Sequence, residues 1–141
     1  MNPRGKPADQ DLQAYNSLVL QNQDEAFSLA FDLLGDESAA DAAVQQAFMH
    51  GFARQVDARL PFRLWVLRWV VSACLERSQI LPGPARLEPR LAFLSNEDNV
   101  ALVLVERLGL SYSQAAGVAQ KSEAEFRKQL AAARFSLCKM S

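Results

Sequence analysis

The stretch GLSYSQAAGVAQKSEAEFRKQL (109–130) holds two short helical patterns joined by a polar corner. Ser111 and Ser122 stand where the two helices would begin. Ser122 precedes Glu125 by three residues, the spacing of a capping box, in which the serine oxygen accepts a backbone N–H and the glutamate reaches back to the serine's own N–H. Phe126, Leu130, Ala133 and Leu137 then recur at the intervals of one buried helical stripe. The outline is a helix-turn-helix. Its second helix opens on Glu123 and Glu125, which suit the positive end of a helix dipole and oppose phosphate. Gln120 occupies the corner position where a glycine would adopt a left-handed backbone most easily.

The rest of the chain supplies a helical setting. Half of the 141 residues are hydrophobic, which is enough apolar material for one ordinary domain or two small helical ones. Glycine and proline number six each, and Ala, Leu, Gln and Arg, all cheap to place in a helix, are abundant. The net charge of −1 is not that of a typical nucleic-acid binder, yet it is unevenly spread. Residues 11–60 carry eight acids and two bases, residues 61–91 two acids and five bases, and residues 122–141 two acids and four bases. MNPRGKPADQ at the start lacks the apolar core of a signal peptide. LWVLRWVVSACL (64–75) is too short to span a bilayer and is broken by Arg68. These features fit a cytoplasmic protein. Cys74 and Cys138 sit singly within helical patterns, which is the placement of small buried or half-buried thiols.

Periodicity divides the chain further. Leu12, Tyr15, Leu18 and Val19 mark one helix and Ala26, Phe27, Ala30, Phe31 and Leu34 a second, with a polar break at 21–24, a cap at Asp24 and a stop at Gly35. A helix over about 38–55 turns Ala40, Ala43, Val44, Ala47, Phe48 and Phe52 to one side. The next starts at Pro61 and aligns Phe62, Trp65, Val66, Trp69, Val70 and Ala73 as core. QILPGPARLEP (79–89), with three prolines and a glycine, is a linker. Helices over about 90–107, 111–119 and 122–138 follow. The fold class is all-α, with two small helical domains, 10–78 and 90–141, joined by 79–89.

These residues carry a resemblance. QDEAFSLAFDLLGDESAADAAVQQAFMHGF (23–52) with PFRLWVLRWVVSACLERS (61–78) is similar to region 2 of the extracytoplasmic-function sigma factors. Residues 93–139, with the Gly-Leu-Ser-Tyr opening at 109–112, resemble region 4. Together the two cover nearly the whole chain. The resemblance implies a non-enzymatic transcription factor without cofactor, in which region 2 binds core RNA polymerase and opens promoter DNA and region 4 reads a second promoter element. Carried over residue by residue, it places polymerase binding on Asp41, Val44, Gln45 and Phe48. It places DNA contact on Arg63, Arg68, Arg77, Arg127, Lys128 and Arg134, with Arg54 and Arg59 as further cations of the region 2 groove.

The chain also departs from the family. Carboxylates usual in the polymerase-binding helix fall on Ala39 and Ala42, and the acid after Gln45 is Gln46. The usual basic end of the following helix is Gln79-Ile80-Leu81-Pro82. The linker, fully extended at about 40 Å, favours domains packed on each other, and Leu64, Leu67, Val71 and Leu75 offer a surface for that packing or for a partner helix. Two functions follow: a sigma factor directing promoter-specific initiation, or a sigma-like module that binds an anti-sigma factor or other regulator without DNA. An enzyme is disfavoured, because His50 stands alone with no metal-ligand or nucleophile constellation around it and no glycine-rich phosphate loop is present.

Overall fold

The computed structural model describes residues 9–52, 60–78 and 95–139. Among them there is no strand. The order is α1 (Asp9–Leu34), α2 (Glu37–Phe52), α3 (Phe62–Ser78), α4 (Asn96–Leu102), a π-helical turn (Val103–Arg107), α5 (Tyr112–Ala119) and α6 (Glu123–Lys139). Residues 79–89, read as the linker, lie outside the described residues, as do Arg54 and Arg59.

α1, α2 and α3 pack pairwise into a three-helix bundle, and α4, α5 and α6 pack around one another beside it. α3 joins the two groups by lying against α5. Buried residues from all six helices form one hydrophobic cluster. α3 is buried nearly all round: Val66, Trp69, Val70 and Ala73 are joined in the interior by Leu64, Leu67 and Val71. The apolar side chains off the main stripe of α3 are therefore used in packing.

α1 corrects the expectation of two helices. It runs unbroken through 21–24, where the Asn22 amide donates to the Leu18 carbonyl at 2.7 Å. The run contains no glycine or proline, and apolar faces on both sides bind the same bundle, so tertiary packing overrides the local polar signal. Gly35 does end the helix, at φ 69°, with its N–H donating to Phe31 at 2.8 Å. α2 is capped by Asp36, whose carboxylate accepts the Ala39 N–H at 2.8 Å.

α4 begins at Asn96, where the Ser95 hydroxyl accepts the Asp98 N–H at 3.1 Å and fixes the first turn, and residues 90–94 of the expected helix lie outside the described residues. The π turn that follows, closed by Leu108 N–H to the Val103 carbonyl at 3.0 Å, had no sequence signal. The corner of 109–130 forms as read. Ser111 and Gln114 make one capping box, and Ser122 and Glu125 make the other. Gln120 takes the left-handed conformation at φ 59°.

One contact sets the spacing of α2 and α3. A Cβ added at Gly51 would lie 2.2 Å from Cζ3 of Trp69, so only glycine lets the indole seat there. Trp69 continues an aromatic series, edge-on to Phe62 at 6.0 Å, which is edge-on to Tyr15 at 5.9 Å. Tyr15 donates to the Phe48 carbonyl at 2.6 Å, tying α1 to α2, and burial pushes its hydroxyl up to about 12.

Candidate functional site

Two surfaces collect the residues assigned to function. The first is a groove of about 580 Å³ between α1 and α2. Its floor is Val19, Phe27, Val44 and Phe48, and its edges are Gln23, Asp24, Asp41, Gln45 and Met49. All four residues expected to bind polymerase, Asp41, Val44, Gln45 and Phe48, line this one groove. They fall at helical spacing on α2, so the bundle presents them together.

Met49 is 75% exposed, and Leu20, beside Val19 on α1, is 66% exposed. Unburied apolar side chains beside a groove mark a surface meant to be covered, and methionine adapts its shape to an incoming face. Asp24 and Asp41 make no ion pair with another described residue, so among the described residues the rim carries negative charge.

Sequence reading missed the α1 half of this site. Val19, Gln23 and Phe27 lie four residues apart and share a face only if the helix continues through 21–24. Ala39 is also reinterpreted. It is buried at 8% exposure, so no surface carboxylate is missing there. Ala42 is half-buried and Gln46 is exposed, and the Gln46 amide donates to Glu76 at 3.1 Å.

The second surface is that of the arginines, and the structure places nearly all of them in internal bonds. Arg63 grips Glu25 of α1 with both Nε and Nη2 at 2.7 Å, and this pairing raises its pKa further. Nε and Nη2 of Arg68 donate to the Gly117 carbonyl at 3.1 and 2.7 Å, with the guanidinium 4.7 Å over the Trp65 ring. Arg77 reaches the Gln46 carbonyl oxygen at 3.5 Å. On α6, Arg127 donates to Glu123 at 2.9 Å and lies 4.8 Å over Tyr112. Arg134 donates to Glu106 at 2.9 Å and to the Tyr112 hydroxyl at 3.3 Å. Lys128 is exposed and makes no ion pair with a described residue.

The corner itself is neutralised in the same way. Lys121 pairs with Glu97 at 3.1 Å and also donates to Gln129, holding the Glu97 carboxyl below its usual range. Glu125 is likewise held low, first by the Ser122 hydroxyl and then by the Ser122 N–H. The six cations assigned to DNA are thus not gathered on one open patch. Arg63, Arg68 and Arg77 lie along α3, while Arg127, Lys128 and Arg134 lie along α6.

The cysteines differ from each other. Cys74 is buried, and burial pushes its thiol up to about 12. Cys138 is exposed, contrary to expectation, because the inward stripe of α6 runs through Phe126, Leu130 and Ala133 to half-buried Leu137 and leaves position 138 outside. His50 is exposed. Among the described residues no cluster of three His, Cys, Asp or Glu side chains is placed to hold a metal, and no helix is long and apolar enough to cross a membrane.

No family model matches the chain, and no curated protein matches it in sequence. Solved structures do. CnrH in its complex with the cytosolic domain of CnrY superposes with a TM-score of 0.72 at 23% identity, covering 92% of this chain and 88% of that one. The sigma factor RpoE from Bartonella quintana, in complex with the anti-sigma factor NepR, gives 0.69 at 19% identity, with 90% and 96% covered. The chain has a sigma-factor-like fold, in agreement with the resemblance carried by its sequence.

Proposed function

We propose that the protein is a sigma-type transcription factor of the cytoplasm, which binds core RNA polymerase through the α1–α2 groove and promoter DNA through α3 and α6. The observation that carries this reading is the convergence of Asp41, Val44, Gln45 and Phe48 on one open, apolar, acid-rimmed groove. A helical element with basic flanks fits it, and the desolvated apolar floor would supply most of the affinity. The reading involves no catalytic step. Residues 10–78 and 90–141 are its two functional units, with 79–89 as their tether.

A second reading is favoured by the arginines. Arg63, Arg68, Arg127 and Arg134 are already bonded inside the molecule, which is the state of a module that engages a regulator rather than DNA. RpoE is held by an anti-sigma factor in its structure. By the same logic an anti-sigma polypeptide is a candidate occupant of the groove here.

The test is co-purification from the native host at low and moderate salt, with wild type beside Asp41→Arg and Val44→Glu. The rim change reverses a charge and the floor change buries one, so each should lower retention of a groove partner by about tenfold or more. Stoichiometric polymerase subunits on wild type, lost in both variants, support the first reading. A small regulator retained without polymerase selects the second, and polymerase retained equally by all three proteins removes the groove from either.

A further inference from the structure

Arg68 stands at the junction of the two helical groups. It leaves α3 and reaches a carbonyl 49 residues further along the chain, that of Gly117 in the last turn of α5. Carbonyls at a helix C-terminus carry the negative end of the dipole, so a guanidinium is well matched to that of Gly117, which also accepts the Gln120 N–H at 3.3 Å. The Trp65 face beneath Arg68 adds a cation–π contact. A second tie, Arg107 to Asp32 at 3.1 Å, joins the π turn to α1.

We infer that Arg68 is a latch. By capping the C-terminus of α5 it holds the α4–α6 group closed on α3, and the Nε and Nη2 edge of its guanidinium must leave Gly117 before that edge can grip a phosphate. Closure and two-pronged phosphate contact are then exclusive uses of one guanidinium edge. A phosphate accepts a guanidinium in a charge-assisted, two-pronged manner that a neutral carbonyl cannot match, so a polyanion shifts the molecule toward the open form. Arg68 is thereby a positioning residue whose release couples opening to DNA. The coupling rests on the function proposed above, whereas the latch rests on the contact alone.

The full chain offers a direct readout. Cys138 is exposed and Cys74 is buried with its thiol pushed up, so a maleimide dye enters at Cys138. A second dye at Gln13→Cys, on the exposed side of α1, gives a fluorescence-transfer distance between the two helical groups. Wild type should show a dominant short-distance population. Arg68→Ala should raise the long-distance population by roughly tenfold at unchanged helix content, the scale expected from losing charge-assisted hydrogen bonds. Arg68→Gln, which keeps one neutral donor, should raise it less.

If Arg68→Ala loses helix content, Arg68→Gln is read in its place. A wild-type distance distribution in whichever variant folds overturns the latch. Random-sequence duplex DNA at low salt, added to wild type, should populate the long distance. If the arginine variants open and yet neither they nor wild type binds duplex DNA, the DNA half of the proposed function fails and the latch stands.

Discussion

The α1–α2 groove and the outer face of α6 both carry charge on exposed helix surface, but they differ in what that charge is free to do. Around the groove, Asp24 and Asp41 have no described ionic partner, and apolar Val44 and Phe48 lie between them. On α6, Arg127 and Arg134 have carboxylates at 2.9 Å. A pair at that distance projects little field beyond a Debye length of about 8 Å. Counting cations therefore overstates the nucleic-acid surface, while two acids with no ionic partner among the described residues, set beside an apolar floor, make a more specific site than their number implies. What separates the two surfaces is where the counter-charges lie, and both carboxylates that neutralise α6 belong to the α4–α6 group itself.

The contrast can be broken from the groove side by one methyl group. Gly51→Ala puts a Cβ into the Trp69 ring. Overpacking of about 1–3 kcal/mol should exceed the gain of about 1 kcal/mol from alanine's helix propensity, because the ring is rigid and enclosed. The urea midpoint should fall, and amide exchange should quicken in α2 and α3 more than in α6. Equal exchange in both groups would show that groove and α6 face are not separately supported.

From the other side, Glu106→Gln with Glu123→Gln should release Arg134 and Arg127. Low-salt affinity for duplex DNA should rise by about tenfold, and the salt slope should steepen by about 0.9 for each cation that finds a phosphate. No change in slope would mean that the pairing of α6 is irrelevant to its reach. Ser122→Ala removes the cap of α6 and should cost about 1 kcal/mol in a thermal melt, with partner binding at the groove intact.

The smallest expected effect is on acid stability. The Glu97 carboxyl is held low by Lys121, so its contribution is present above the unfolded value near ~4.3 and is lost as pH falls through the lower folded value. Lys121→Met should flatten the stability profile slightly in that acid window and leave it unchanged at neutral pH. Glu97 is largely exposed, so the change is near the resolution of a melting experiment.

Legibility followed the range of each interaction. The Ser111 and Ser122 caps, the Ser122–Glu125 capping box and the Gly35 stop were readable because their partners lie within four residues, and Glu123 with Arg127 is likewise an i, i+4 pair open to inspection. The α1 error came from weighing a local polar run above packing that only the assembled bundle supplies. The partners of Arg63, Arg68 and Arg134 lie 38, 49 and 28 residues away, and no periodicity points to them. The groove was half legible: α2 offered its face at helical spacing, and α1 withheld its own until it was seen as one continuous helix.

The π turn at 103–107 carries a consequence for sequence change. Consecutive residues there serve opposite directions, Glu106 toward Arg134 of α6 and Arg107 toward Asp32 of α1. The wider ring accommodates one residue beyond what an α-helical turn would hold. Excising a single residue would let the segment close as an ordinary turn, but with one side chain fewer to serve both directions, so Glu106 and Arg107 could not both keep their partners. The number of residues in this segment is thus a gauge block for its two arms. Substitutions along it can be absorbed side chain by side chain, whereas a one-codon deletion would cost the segment one of its two attachments.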